Sequence, residues 1–129
     1  MLIDHIGYAV KNIDKARESF EVLGFEFEEK IEDPDRNILI QFGKNNGYRI
    51  ELVAPLDSNT SPVDSIISKI GATPYHICYR SKNIEQSIKE LESKKYKVII
   101  PLTEAIAFGR KRVVFLMNRF LGMIEIVEE

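Results

Sequence analysis

The two histidines of this chain open closely similar words, His5 in HIGYAVKNID and His76 in HICYRSKNIE. A second pair of words, Arg49-Ile50-Glu51-Leu52-Val53 and Met123-Ile124-Glu125-Ile126-Val127, places a matching glutamate late in each copy. Two neutral imidazoles and two carboxylates suit one borderline divalent ion such as Ni, Co, Zn, Fe or Mn, leaving other coordination positions to water or substrate. Such an ion polarises a substrate carbonyl, and a carboxylate beside it can take a proton from the adjacent carbon. His5, Glu51, His76 and Glu125 are therefore the expected metal ligands, and Glu51 and Glu125 are also the candidate bases. A lone strand histidine is more often a hydrogen-bonded surface or core residue. The matched placement of both residue types in both copies argues for ligands instead.

The elements that must hold these side chains follow from the repeat. Each copy starts with an alternating, strand-like run, passes through Lys-Asn-Ile-acid and continues as a helical pattern, so each reads as a strand leading into a capped helix. Asn12 or Asp14, and Asn83 in the second copy, are the expected N-caps. Ile13, Ala16, Phe20 and Leu23 form one apolar stripe, and Ile84, Ile88 and Leu91 form the other. Three strands should follow each helix: 25–31, 38–42 and 49–53, then 97–102, 112–117 and 123–127. Asn46-Gly47 and Leu121-Gly122 supply the turns before the last strands. The fold class is α+β, with two tandem βαβββ modules. Module 1 covers about 1–55, a linker with one short helix about 56–73, and module 2 about 74–129, all within a single domain.

Strand parity sorts the side chains into two faces. Ile6, Tyr8, Val10, Ile50, Leu52, Ile77, Tyr79, Ile124 and Ile126 lie on the face the helices must cover. His5, Glu51, His76 and Glu125 lie on the other, with Arg49, Cys78 and Arg80 beside them. Arg49 and Arg80 can orient an anionic substrate or pair with a nearby acid. Arg110 and Arg112, in the run Arg110-Lys111-Arg112, can hold a carboxylate or phosphate, although such runs are commonly solvated strand ends. Cys78 has nothing adjacent to activate a thiolate and reads as a small buried residue.

With 129 residues and a formal net charge of -2, the chain has the size of one domain and no basic footprint for nucleic acid or an anionic membrane. It lacks an apolar run long enough to span a bilayer, which needs roughly 20 residues. The single cysteine and the immediate strand-like start, with no signal-peptide pattern, lead us to expect a cytoplasmic protein.

The words Asp4-His5-Ile6-Gly7-Tyr8-Ala9-Val10, Ile50-Glu51-Leu52-Val53-Ala54-Pro55, Tyr75-His76-Ile77-Cys78-Tyr79 and Ile124-Glu125-Ile126-Val127 resemble the vicinal oxygen chelate superfamily of glyoxalases, bleomycin-resistance proteins and dioxygenases. The resemblance covers essentially the whole chain. It implies a curved mixed sheet around a metal-binding cavity, a small-molecule substrate and a homodimer. The His, Glu, His, Glu order is similar to the glyoxalase I and methylmalonyl-CoA epimerase branches. It implies a lactoylglutathione lyase-like activity on a thiol-derived substrate, or alternatively a methylmalonyl-CoA epimerase-like isomerase or a non-catalytic binding module. By the same resemblance Glu125 is the first choice of base. The segment Glu32-Asp33-Pro34-Asp35-Arg36 occupies the stretch where epimerases of the family often carry a second catalytic glutamate, and it supplies no clear match.

Overall fold

The computed structural model describes all residues from Met1 to Glu129. Nine strands and three α-helices occur in the order β1 (Leu2–Ala9), α1 (Ile13–Glu21), β2 (Glu26–Phe27), β3 (Ile31–Asp33), β4 (Ile38–Asn45), β5 (Tyr48–Pro55), α2 (Asp64–Lys69), β6 (Thr73–Ser81), α3 (Ile84–Ser93), β7 (Lys97–Glu104), β8 (Arg112–Asn118) and β9 (Gly122–Glu128). A single 3-10 turn, Ile106–Phe108, lies between β7 and β8. Two compact units form: His5–Tyr75, and Met1–Asp4 together with His76–Glu129. No helix is long and apolar enough to cross a membrane.

In the unit His5–Tyr75, the strands run in the order β2, β4, β5, β1, with β3 also paired to β4. β1 is parallel to β5, and β4 and β5 are antiparallel. The connection through α1 makes this arrangement possible, because two parallel neighbours need a crossover, whereas antiparallel ones need only a tight turn. That turn is Asn46-Gly47, both left-handed, with φ of 49° and 84°, which is the conformation a two-residue hairpin prefers and the reason Asn and Gly suit it. α1 is started by Asn12, whose Oδ1 accepts from the Lys15 amide. It ends at Glu21, two residues sooner than the apolar stripe suggests, so Leu23 falls in the following turn and is exposed. Ile13, Ala16 and Phe20 remain on the stripe and pack with Val10, Ile50, Leu52 and Ala54, joined by Tyr8, Phe25, Phe27 and Leu39. Ring pairs such as Tyr8 with Phe20 and Phe20 with Phe25 meet edge to face, with centroids 5.1 and 5.2 Å apart.

The expected strand 25–31 is broken into β2 and β3. Phe27 pairs with Gly43 and Ile31 with Ile40, so the edge strand has one more residue than β4 between these pairs. This is a bulge, which bends an edge strand and leaves a backbone group unpaired. The Gln41 side chain compensates by donating from Nε2 to the Glu28 carbonyl at 2.8 Å.

The second unit repeats the plan in the order β6, β9, β8, β7. β6 is parallel to β9, and β8 is antiparallel to both β7 and β9. Asn83 caps α3 through its Oδ1 and the Gln86 amide. The stripe Ile84, Ile88 and Leu91 covers Val114, Leu116, Ile124 and Ile126, with Tyr79, Tyr96, Val98 and Leu102 around them. The opposite face of this sheet carries its own cluster of Cys78, Ala105, Val113 and Val127 with Phe108 and Phe115.

Candidate metal centre

Each unit holds one buried imidazole and carboxylate pair, and register explains how. In the first unit Glu51 on β5 stands opposite Phe42 on β4 and beside Gly7 on β1. His5 precedes Gly7 by two residues and so shares its face. In the second unit Glu125 on β9 stands opposite Phe115 on β8 and beside Cys78 on β6, with His76 two residues earlier. The rows are equivalent position by position. His5, Glu51, His76 and Glu125 are exposed by only 1, 4, 4 and 3%.

His5 Nε2 lies 3.4 Å from Glu51 Oε1, and His76 Nε2 lies 3.2 Å from Glu125 Oε2. A charge-assisted hydrogen bond between such groups would be about 2.7–2.9 Å long. Two ligand atoms each about 2.1 Å from one ion, at angles between the octahedral and tetrahedral values, stand about 3.0–3.4 Å apart. Both pairs have that spacing. Burying a carboxylate also costs several kcal/mol unless a cation or strong donors compensate. The donor chemistry, the spacing and the burial of each pair therefore fit a divalent ion, to which a pair offers one imidazole nitrogen and one carboxylate oxygen.

The four arginines considered as substrate contacts are differently placed. Arg49 stacks its guanidinium on the Phe42 ring, 4.0 Å from the centroid, on the same face as Glu51. Arg80 Nε approaches Asp4 Oδ1 at 3.6 Å. Arg110 pairs with Glu104 at 3.6 Å at an exposed position. Arg112 makes two bonds to Glu128, each 3.0 Å, and a third contact to Glu85 at 2.7 Å. Hydrogen bonding to Arg112 holds both of these carboxyls below the ordinary range, and the same bonds raise the pKa of the guanidinium. Arg112 thus ties β8 to β9 and to the first turn of α3, and Arg49 is the one candidate seen against a half-site.

Asp33, in the segment searched for a second catalytic acid, is 1% exposed and bound to Arg36, Nη1 to Oδ2 at 3.0 Å. Its other oxygen accepts from the Arg36 amide. It closes the turn before β4. Cys78 is fully buried in the apolar cluster, as its sequence context suggested.

Phe42 and Phe115 escaped the sequence reading. Their rings meet His5 and His76 edge to face, with centroids 5.6 and 5.4 Å apart and interplanar angles of 77° and 86°. A signal was present, since each is a phenylalanine on the strand before the glutamate. The two hairpins differ by one residue, however: Asn45 pairs with Tyr48 across two residues, and Asn118 with Gly122 across three. A fixed offset from the glutamate therefore misses the match.

A fold of two βαβββ units, each with a buried His and Glu at equivalent positions, defines a duplicated module with a metal-type donor set. Residues 4–115 match the Glyoxalase/Bleomycin resistance protein/Dioxygenase superfamily, and the chain belongs to that family. The mitochondrial methylmalonyl-CoA epimerase of Bos taurus is 30% identical over 116 residues, which is 88% of this chain and 65% of that protein. The chain thus spans a little under two thirds of the length of that relative. Among solved structures, a hypothetical protein of Bacillus halodurans C-125 superposes with a TM-score of 0.86 at 27% identity, covering 98% of this chain and 93% of the other. A Streptomyces coelicolor methylmalonyl-CoA epimerase variant in complex with 2-nitronate-propionyl-CoA gives a TM-score of 0.86 at 21% identity, covering 100% and 97%. The fold expected from the resemblance is the fold found.

Proposed function

We propose that the chain is a divalent-metal-dependent isomerase that epimerises the carbon next to the carbonyl of a CoA-type thioester. The repeated, buried His and Glu pair carries this reading, and the epimerase relatives favour it over the lactoylglutathione lyase-like alternative. His5, Glu51, His76 and Glu125 together hold one ion, as their equivalence under the repeat suggests. When bound, that ion supplies a positive charge that stabilises the negative charge developing on a thioester carbonyl as its neighbouring carbon loses a proton.

The carboxylates do the proton work. Inverting a carbon by proton transfer requires removal from one face and return to the other. Glu51 and Glu125 come from opposite copies of the repeat and are assigned these roles: Glu125, ionised, takes the proton from one face, and Glu51, starting as the protonated acid, returns one to the other face, after which the two have exchanged protonation states. The largely apolar surroundings, with Phe42, Val113 and Val127 buried and Phe115 half-buried, exclude water and so strengthen electrostatic interactions at the reacting carbon. A homodimer is proposed on family grounds and is tested by sedimentation over a wide concentration range. The activity itself is tested by following solvent deuterium into methylmalonyl-CoA by NMR, with a lactoylglutathione-type compound alongside. Metal-dependent exchange into the thioester supports the assignment. Exchange only into the glutathione compound transfers it to the lyase reading, and tight binding without exchange, unchanged by removing metal, transfers it to a binding module.

A further inference from the structure

We propose that Phe42 and Phe115 are positioning residues, each holding the imidazole of its unit at the angle that directs Nε2 toward an ion. This rests on the metal reading above. Three observations support it. The two contacts repeat almost exactly, with centroids 5.6 and 5.4 Å apart and both rings near perpendicular. Each phenylalanine also stands directly opposite the glutamate of its own pair, so ring, carboxylate and imidazole sit along one row of one face. The histidine Nε2 is turned to that glutamate in both units, at 3.4 and 3.2 Å.

The physical reason lies in the soft torsion of the imidazole. Rotation about χ2 has broad minima, so the backbone alone does not fix where Nε2 points. A ring packed edge to face against it does, because aromatic pairs at such separations favour this geometry and a rotated imidazole would run into its neighbour. Groups that orient metal ligands in this manner commonly alter metal affinity by 10 to 100-fold when removed.

The two rings are not held alike. Phe42 is 2% exposed and has the Arg49 guanidinium 4.0 Å above it, whereas the position matching Arg49 in the second unit is Met123. Phe115 packs instead with Cys78, Ala105, Val113 and Val127. The feature common to both is the ring against the imidazole, which is why the role is assigned to the ring.

The test uses Co(II) as the probe, since its visible bands report ligand geometry as well as binding. Phe42→Leu and Phe115→Leu should each weaken Co(II) binding by about 10 to 100-fold and shift or broaden the bands. Phe42→Tyr and Phe115→Tyr keep the ring and should restore both. Circular dichroism of the metal-free proteins checks folding. If a leucine variant fails to fold, Phe→Met at the same position, which fills the space without a ring, takes its place in the titration. Wild-type affinity and unchanged bands in the folded leucine or methionine variants would overturn the proposal while leaving the metal reading intact. Wild-type protein that binds no Co(II) would overturn both.

Discussion

The two halves of the candidate centre share a row and differ in what surrounds it. Phe42, Glu51 and His5 in one unit correspond to Phe115, Glu125 and His76 in the other, down to the register of the strands. Around that shared row the residues diverge. Arg49 stands where the second unit has Met123, and Gly7 where it has Cys78. The helix-side cores diverge as well: the first is rich in phenylalanine, the second in aliphatic residues with two tyrosines. Duplication explains the likeness, and the shared row is where the proposed chemistry is placed. Imidazole, carboxylate and ring are repeated, and so are core residues such as Tyr8 with Tyr79, Ile13 with Ile84 and Ile50 with Ile124.

The comparison is sharpened first by removing the two glutamates in turn. Glu125→Gln keeps the shape and an oxygen donor, so it should slow deuterium exchange by about 10² to 10⁴-fold while losing much less metal affinity. Glu51→Gln tests whether the halves share the proton work. An epimerase should then exchange from one enantiomer of the thioester and fail with the other. Equal, small losses for both enantiomers in both variants would remove the two-base assignment.

Matched core truncations come next. Leu52 and Ile126 occupy equivalent positions, and neither is exposed to solvent. Leu52→Ala and Ile126→Ala should each cost about 2–5 kcal/mol in urea unfolding. A cost well under that range in one unit would show a core able to collapse around the cavity.

The helix caps give a smaller effect. Asn12→Ala and Asn83→Ala should each cost about 1 kcal/mol, measured the same way. The second cap has additional support, because the Asn83 amide donates to Ser81 Oγ, which also shares a 2.7 Å bond with Ser87. The first unit has Val10 at the position of Ser81 and no such bond. Ser81→Ala should therefore weaken the start of α3 with no counterpart in α1.

The smallest effect is acid sensitivity. Asp14 and Glu85 both sit in the first turn of their helices. Both carboxyls are held below their ordinary range, chiefly by hydrogen bonds from Lys30 and Arg112 respectively. Because their pKa values are lowered on folding, their contribution is complete above the ordinary carboxylate range. It is lost as pH falls through the lowered values, below about pH 4. Lys30→Met and Arg112→Met should each flatten part of the fall in melting temperature between about pH 5 and 2, with Arg112→Met acting on Glu128 as well. An unchanged profile would mean these surface pairs contribute nothing measurable.

Much of this architecture was legible in the chain because local signals agree with the fold. The repeated words fixed the equivalence of His5 with His76 and Glu51 with Glu125, and strand parity assigned their face. Asn12, Asn83 and Asn46-Gly47 marked caps and a turn through chemistry specific to those positions. What escaped was set by pairing between strands. The β2 and β3 break depends on a bulge against β4 and on Gln41 filling the gap, neither of which has a local signature. The end of α1 before Leu23 reflects the turn through Gly24, with φ of 98°, which overrode a continuing apolar stripe. Arg112 looked available for an anion until register brought Glu128 beside it.

The central claim is that both pairs serve one ion. Its most direct test is metal content and affinity of the purified protein against His5→Ala and His76→Ala, measured by elemental analysis and competition titration. The account predicts about one divalent ion per chain, lost from either variant because each removes one of only two imidazole ligands. Stoichiometric metal retained by both variants, or two ions per chain of which each substitution removes only its own, would contradict it.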